Sequence, residues 1–114
     1  MEERARRVVE NEAKFRLVNE AIQAVVRRDK AQFGEPIEEI SIICECGVND
    51  CTETIGLPLS VYEWTRAEST RFVVASGHHL PEYERVMRDG DGYAVVEKLG
   101  EARGAASDLD PNAR

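Results

Sequence analysis

The sequence predicts an α+β fold with a long N-terminal helix, one short helix and a small, mostly antiparallel sheet of about four strands. Two observations lead to this prediction. Residues 3–32 keep a helical spacing of apolar side chains without Gly or Pro, and later segments rich in β-branched residues are bounded by turn residues. The chain has 114 residues, the size of one ordinary domain.

The long helix carries one apolar stripe. Val8, Phe15 and Ile22 are spaced by seven residues, and Val18 and Val25 fill intervening positions. Such a helix would span roughly 45 Å, whereas a compact chain of this size is about 35 Å across. We therefore expect residues 1–34 either to lie over the sheet with a frayed N-terminus, or to pair with a protein partner or a second copy through the stripe.

The first strand is expected at residues 37–46, with a short second strand at 52–57. Because side chains alternate along a strand, Cys44 and Cys46 should face one side and Glu45 the other. Ser60 and Glu63 have the spacing of a capping box, which predicts a short helix after the second strand.

The second half of the chain predicts a central strand at residues 71–75 and a hairpin. Its strands are at residues 82–88 and 93–98, joined by the Asp-Gly-Asp-Gly turn at 89–92. Beyond residue 99 the composition of Gly, Ala, Ser and Asp suggests a flexible tail. The expected organisation is a helix at 1–34, a small α+β metal-binding domain at 35–99 and a tail at 100–114.

The formal net charge of −7 argues against a large phosphate-binding surface. We do not expect a nucleic-acid partner unless a local cluster such as Arg4, Arg6 and Arg7 supplies the surface. The chain begins without the apolar segment of a signal peptide and has no run of about 20 apolar residues. These features predict a cytoplasmic protein that does not bind membranes.

All three cysteines lie within residues 44–51, and both histidines lie together at 78 and 79. In a reducing compartment, clustered cysteines indicate metal binding or redox chemistry rather than disulfides. We predict a metal-binding loop at one end of the sheet, with the ligands Cys44, Cys46, Cys51 and His78. His78 follows Gly77, which allows a sharp turn after the strand; His79 is the competing ligand, and Asp50 is a further oxygen donor.

Several chemistries suit these donors. Zinc is the first choice, although two cysteines separated by one residue must bend towards each other to share an ion. An iron–sulfur cluster on the same ligands is the alternative, because thiolates on different irons lie further apart. A Cys-His thiol enzyme is a second alternative, but nothing marks one thiol as the nucleophile. Without a metal, Cys44 would simply be a buried strand residue.

Several short segments follow one another in a characteristic order: NEAKFRLVNE at 11–20, CEC at 44–46 with CTE at 51–53, GH at 77–78, and GY at 92–93 followed by VEK at 96–98. In this order of segments the chain resembles a family of small bacterial proteins, mostly uncharacterised. The resemblance covers residues 11–98 and favours His78 over His79, but it implies no particular activity. The polar residues of the helix segment suggest a partner surface: Asn11, Glu12, Asn19 and Glu20.

These features together predict a small cytoplasmic regulatory or adaptor protein with a structural zinc site, acting through its long helix. An iron–sulfur redox or sensor protein is the alternative.

Overall fold

The computed structural model describes residues 1–34, 38–48 and 51–112. The elements in chain order are α1 (Glu3–Phe33), β1 (Glu39–Ile43), β2 (Thr54–Pro58), α2 (Leu59–Arg66), β3 (Arg71–Ala75), β4 (Glu84–Asp89), β5 (Tyr93–Lys98) and α3 (Gly100–Asp108). This arrangement confirms the predicted α+β class. The described strands form two small antiparallel sheets, β1-β2 and β3-β5-β4, rather than one sheet of about four strands.

The long helix α1 ends where the sequence predicts, but it packs through an unexpected face. Gly34 adopts a left-handed conformation and its N–H caps the carbonyl of Lys30. Val18 and Val25 of the apolar stripe are 46% and 50% exposed. The face that is buried is largely polar, and consists of Ala5, Val9, Glu12, Ala13, Arg16, Asn19 and Gln23.

The expected partner surface on α1 is wrong for two of its polar residues. Glu12 and Asn19 are completely buried inside the protein. The physical reason is that the domain supplies partners for these side chains, so a polar helix face becomes an internal one.

Arg16 shows how the polar face packs. Its guanidinium donates to the carbonyls of Ser69 (2.6 Å) and Ala106 (3.1 Å), and it lies 4.9 Å from the ring centroid of Phe72. Carbonyl acceptors and an aromatic face together compensate for burying this cation. One side chain thus joins α1 to β3 and to the C-terminal helix.

The predicted flexible tail is wrong over residues 100–108, which form α3. Ala102 and Ala106 are buried in the hydrophobic core, and α3 packs against α1. Alanine has the highest helix propensity, and its small side chain permits close helix packing. The same Ala-rich composition that suggested a tail therefore suits a short packed helix.

A buried charge cluster fastens α1 to the hairpin. The Nζ atom of Lys98 lies 2.5 Å from a carboxylate oxygen of Glu12 and 2.5 Å from one of Glu84, and all three side chains are fully buried. Burial raises the pKa of Glu12 to about 8, although Lys98 opposes the shift. One lysine cannot neutralise two carboxylates, so the net charge of the cluster is zero only when Glu12 carries a proton.

The predicted hairpin is confirmed: β4 and β5 pair antiparallel, with a bulge between Val86 and Arg88. The capping box predicted for α2 is wrong. The helix begins at Leu59, directly after β2, and its N-cap is Pro58 without a side-chain hydrogen bond. Instead, the Leu59 N–H donates to the carbonyl of Glu38 at 2.8 Å, so backbone pairing satisfies the helix start.

Among the helices of the described segments, none combines the length and the apolar character that crossing a bilayer requires.

Candidate metal centre

The segment that follows β1 connects the two sheets. The Cys44 N–H donates to the carbonyl of Glu53 at 2.8 Å, and the Glu45 N–H donates to the carbonyl of Val73 at 2.8 Å. Because the chain stays extended here, Cys44 and Cys46 share one side while Glu45 takes the other, as the sequence predicts. Backbone bonds to both neighbouring strands thus fix the positions of two thiols.

Two glycines shape the turns that bring in the remaining donors. Gly47 has a φ of +77° and lies so close to α1 that a Cβ would be 2.7 Å from the carbonyl oxygen of Val8. The chain then returns, and the Cys51 N–H donates to the carbonyl of Val48 at 3.0 Å. At the end of β3, Gly77 has a φ of +83°, in a turn that the His78 N–H closes on the carbonyl of Ala75.

The structure brings the four predicted site residues together. The sulfur atoms of Cys44, Cys46 and Cys51 and a ring nitrogen of His78 all lie within 4.8 Å of one another. His79 is not part of this group. Asp50, the oxygen donor considered from the sequence, lies outside the described residues.

The spacing of the donors matches tetrahedral coordination. The Sγ atoms of Cys44 and Cys51 each lie 3.7 Å from the Nδ1 atom of His78. Around tetrahedral zinc, with sulfur at about 2.3 Å and nitrogen at about 2.0 Å, a sulfur and a nitrogen would be roughly 3.6 Å apart. The four residues can therefore hold one metal ion with little rearrangement.

Hydrogen bonding favours the thiolate form at Cys46 and the thiol form at Cys44. The Ala75 N–H donates to the Sγ of Cys44 at 3.1 Å. Hydrogen bonds from Cys44 and from the Val48 N–H lower the pKa of Cys46 to about 5, although its burial acts in the opposite direction. The same hydrogen bond to Cys46, together with burial, raises the pKa of Cys44. The first proton is therefore lost from Cys46, as a soft cation requires of its ligands.

The two sides of the centre differ in exposure. Cys44 and Cys46 are completely buried, whereas Cys51 and His78 are partly exposed beside a shallow depression lined by Val48 and other residues. A metal ion would therefore enter from the Cys51 and His78 side.

Glu45 is a residue of this centre whose role no sequence pattern indicated. It is fully buried, and its carboxylate accepts hydrogen bonds from the Asn19 side chain (2.8 Å), the Tyr62 hydroxyl (3.0 Å) and the Val73 N–H (2.9 Å). The guanidinium of Arg66 is 3.9 Å away. Burial and the nearby Glu45 raise the pKa of Tyr62, so the hydroxyl remains a donor.

Asn19 completes the connection to α1. Its side-chain amide donates to the carbonyl of Ile43 at 2.8 Å and accepts from the Ile43 N–H at 2.9 Å. Both polar atoms of this amide are thus matched to the strand immediately before the cysteines. The two cysteines face the metal centre, while Glu45 between them binds α1, α2 and β3.

No family model, curated protein or solved structure matches this chain.

Proposed function

We propose that the protein is a small metal-binding regulatory or adaptor protein in which Cys44, Cys46, Cys51 and His78 coordinate one structural zinc ion. The observation that carries this proposal is the convergence of three sulfur atoms and one imidazole nitrogen within 4.8 Å. Three thiolates and one imidazole are a common donor set of structural zinc sites.

The compactness of the donor group favours a single ion over an iron–sulfur cluster. Thiolates that bind different irons of a cluster must lie further apart than thiolates that share one ion. Here every pair of donor atoms lies within 4.8 Å, and His78 is 3.7 Å from two of the sulfurs. This spacing supports zinc as the resident metal, with an iron–sulfur cluster as the alternative that a spectrum would reveal.

The donor number favours a structural role over an enzymatic one. Four protein donors satisfy tetrahedral zinc and leave no position for a substrate or an activated water molecule. A thiol enzyme would need one cysteine set apart beside its base, whereas the three sulfurs here converge on a common point. The ion would fasten the segment that carries Glu45 and, through Asn19, would stabilise the docking of α1.

In this proposal the protein acts in the cytoplasm, by protein–protein interaction through α1. A reducing compartment keeps the three thiols available for the metal. The exposed apolar side chains of α1 provide the contact surface.

Purification without oxygen, followed by metal analysis and absorption spectroscopy, tests the proposal. We expect about one equivalent of zinc per chain and no visible absorption. Visible bands with bound iron would support the iron–sulfur alternative instead. Protein that contains no metal and binds none, yet is fully folded, would contradict both.

A further inference from the structure

The apolar stripe of α1 has the spacing of a coiled-coil seam. Its members alternate at three and four residues, as the a and d positions of a heptad do. The apolar members are Val8, Phe15, Val18, Ile22 and Val25; together with the polar Asn11, which falls at a d position, we call them the α1 seam. Val18 and Val25 are 46% and 50% exposed, and Phe15 and Ile22 are partly exposed.

The α1 seam lies to one side of the face that α1 buries. At 100° per residue, the seam is centred roughly 130° from the buried face formed by Val9, Arg16 and Gln23. In heptad terms, the α1 residues that are buried against the domain lie mainly at the e and b positions, with Glu12 and Asn19 at e. Three members of the seam also contact the chain's own domain, since Gly47 lies beside Val8 and Asn11, and Ile22 packs against the core. A second helix would therefore pack chiefly on Phe15, Val18 and Val25.

We propose that the α1 seam binds a second copy of this chain, forming a parallel two-fold dimer. The inference rests on the proposed adaptor function and names the partner. In a parallel pair the e side of one helix faces the g side of the other, so the two domains lie on opposite sides of the helix pair. An antiparallel pair would bring both e sides together and crowd both domains onto one side.

Charge favours the same arrangement. Residues 3–33 contain eight Lys and Arg and five Asp and Glu, a net charge of +3, which leaves −10 for the remainder of a chain whose net charge is −7. The g positions carry Arg7, Lys14 and Arg28. In the parallel dimer these cations approach the acidic domain of the partner, whereas an antiparallel pair would place Arg7 near Arg28 of the other helix.

The expected dimer is weak. The α1 seam runs for roughly 26 Å along a helix about 10 Å across, which buries on the order of 500 Å² per partner, at the low end of specific interfaces. The side-chain amide of Asn11 also donates to the carbonyl of Gly47 in its own chain at 3.2 Å, so it is less available for a contact with a second helix. We therefore expect a dimer that dissociates on dilution.

Analytical ultracentrifugation of the full chain over a concentration series tests the proposal. The wild type should shift from monomer to dimer as its concentration rises. Val18→Glu should raise the dissociation constant at least about a hundredfold, because it places a charge in the seam. Leu17→Glu is the matched control, since Leu17 is also 46% exposed but lies about 100° around the helix. It should dimerise as the wild type does.

A wild type that stays monomeric at every concentration would overturn the proposal, as would equal weakening by the two glutamate variants. Val18→Cys, in protein whose metal centre is loaded with zinc, tests the orientation. A parallel pair places the two copies of position 18 side by side, so oxidation should yield a cross-linked dimer, and failure to cross-link would reject the parallel arrangement. Zinc content measured on the same samples keeps the outcomes separate: a zinc-containing monomer refutes only the dimer, and a metal-free dimer refutes only the zinc site.

Discussion

Replacement of Glu45 by Gln tests how strongly this side chain connects the candidate metal centre to the helix α1. The carboxylate of Glu45 accepts three hydrogen bonds, from the Asn19 side-chain amide, the Tyr62 hydroxyl and the Val73 N–H. The amide of Gln has only one acceptor oxygen, so its NH₂ group must face at least one of these donors.

The expected cost follows from those contacts. A buried N–H left without an acceptor costs about 1–3 kcal/mol, and the remaining bonds lose the strengthening that a charged acceptor gives. We therefore expect Glu45→Gln to lower the free energy of unfolding by about 3 kcal/mol. Because Glu45 lies between Cys44 and Cys46, we also expect zinc affinity to fall about 10- to 100-fold, as for residues that orient metal ligands.

Urea unfolding of zinc-loaded protein and competition with a chelator measure the two effects. Glu53→Gln is the matched control, because Glu53 is exposed and lies two residues from Cys51. Its unfolding free energy should change by less than about 0.5 kcal/mol. If the Glu45 and Glu53 variants are equally stable and bind zinc equally well, a coupling of the centre to α1 through Glu45 is refuted.

Three further predictions concern α1 and the ligands. Gly47→Ala should destabilise the protein by at least about 2 kcal/mol, because a side chain is strained at this φ and would meet the Val8 carbonyl. Gly56→Ala is the control, since a Cβ there meets nothing within 4 Å. Equal melting temperatures for the two variants would contradict the reasoning. Glu12 has a pKa of about 8 in the folded protein, above its ordinary value of 4.5. The contribution of Glu12 to the free energy of unfolding is therefore fully present below about pH 4.5 and is lost as the pH rises towards 8. Urea unfolding of the loaded protein from about pH 6 to about pH 9 should therefore show falling stability, and Glu12→Gln should flatten the fall; parallel curves would reject a protonated Glu12. Cys51→Ser should reduce metal content and melting temperature much more than His79→Ala, and equal effects would show that the fourth ligand is misassigned.

The parts of the fold that follow local rules could be predicted from the sequence. The bounds of α1 follow from an uninterrupted run ending at Gly34, and the β4-β5 hairpin follows from its Asp-Gly turn. The candidate metal site could be predicted because three cysteines within eight polar, turn-rich residues are an unusual way to fill a core but a common way to bind a metal. Strand alternation then assigns Cys44 and Cys46 to one side.

The remainder depends on contacts between distant segments, which local patterns do not encode. An apolar stripe on α1 suggested which face is buried, yet Glu12, Arg16 and Asn19 are buried because residues up to 90 positions away supply their partners. The helix α3 was missed because its stability comes from Ala102 and Ala106 packing in the core rather than from an apolar pattern of its own.

Zinc-edge X-ray absorption of the purified protein tests the proposed metal centre most directly, since it counts the atoms bound to the metal. We expect three sulfur neighbours at about 2.3 Å and one nitrogen neighbour at about 2.0 Å for each zinc ion. Fewer than three sulfurs, or a metal–metal scattering path, would contradict a single ion held by Cys44, Cys46, Cys51 and His78.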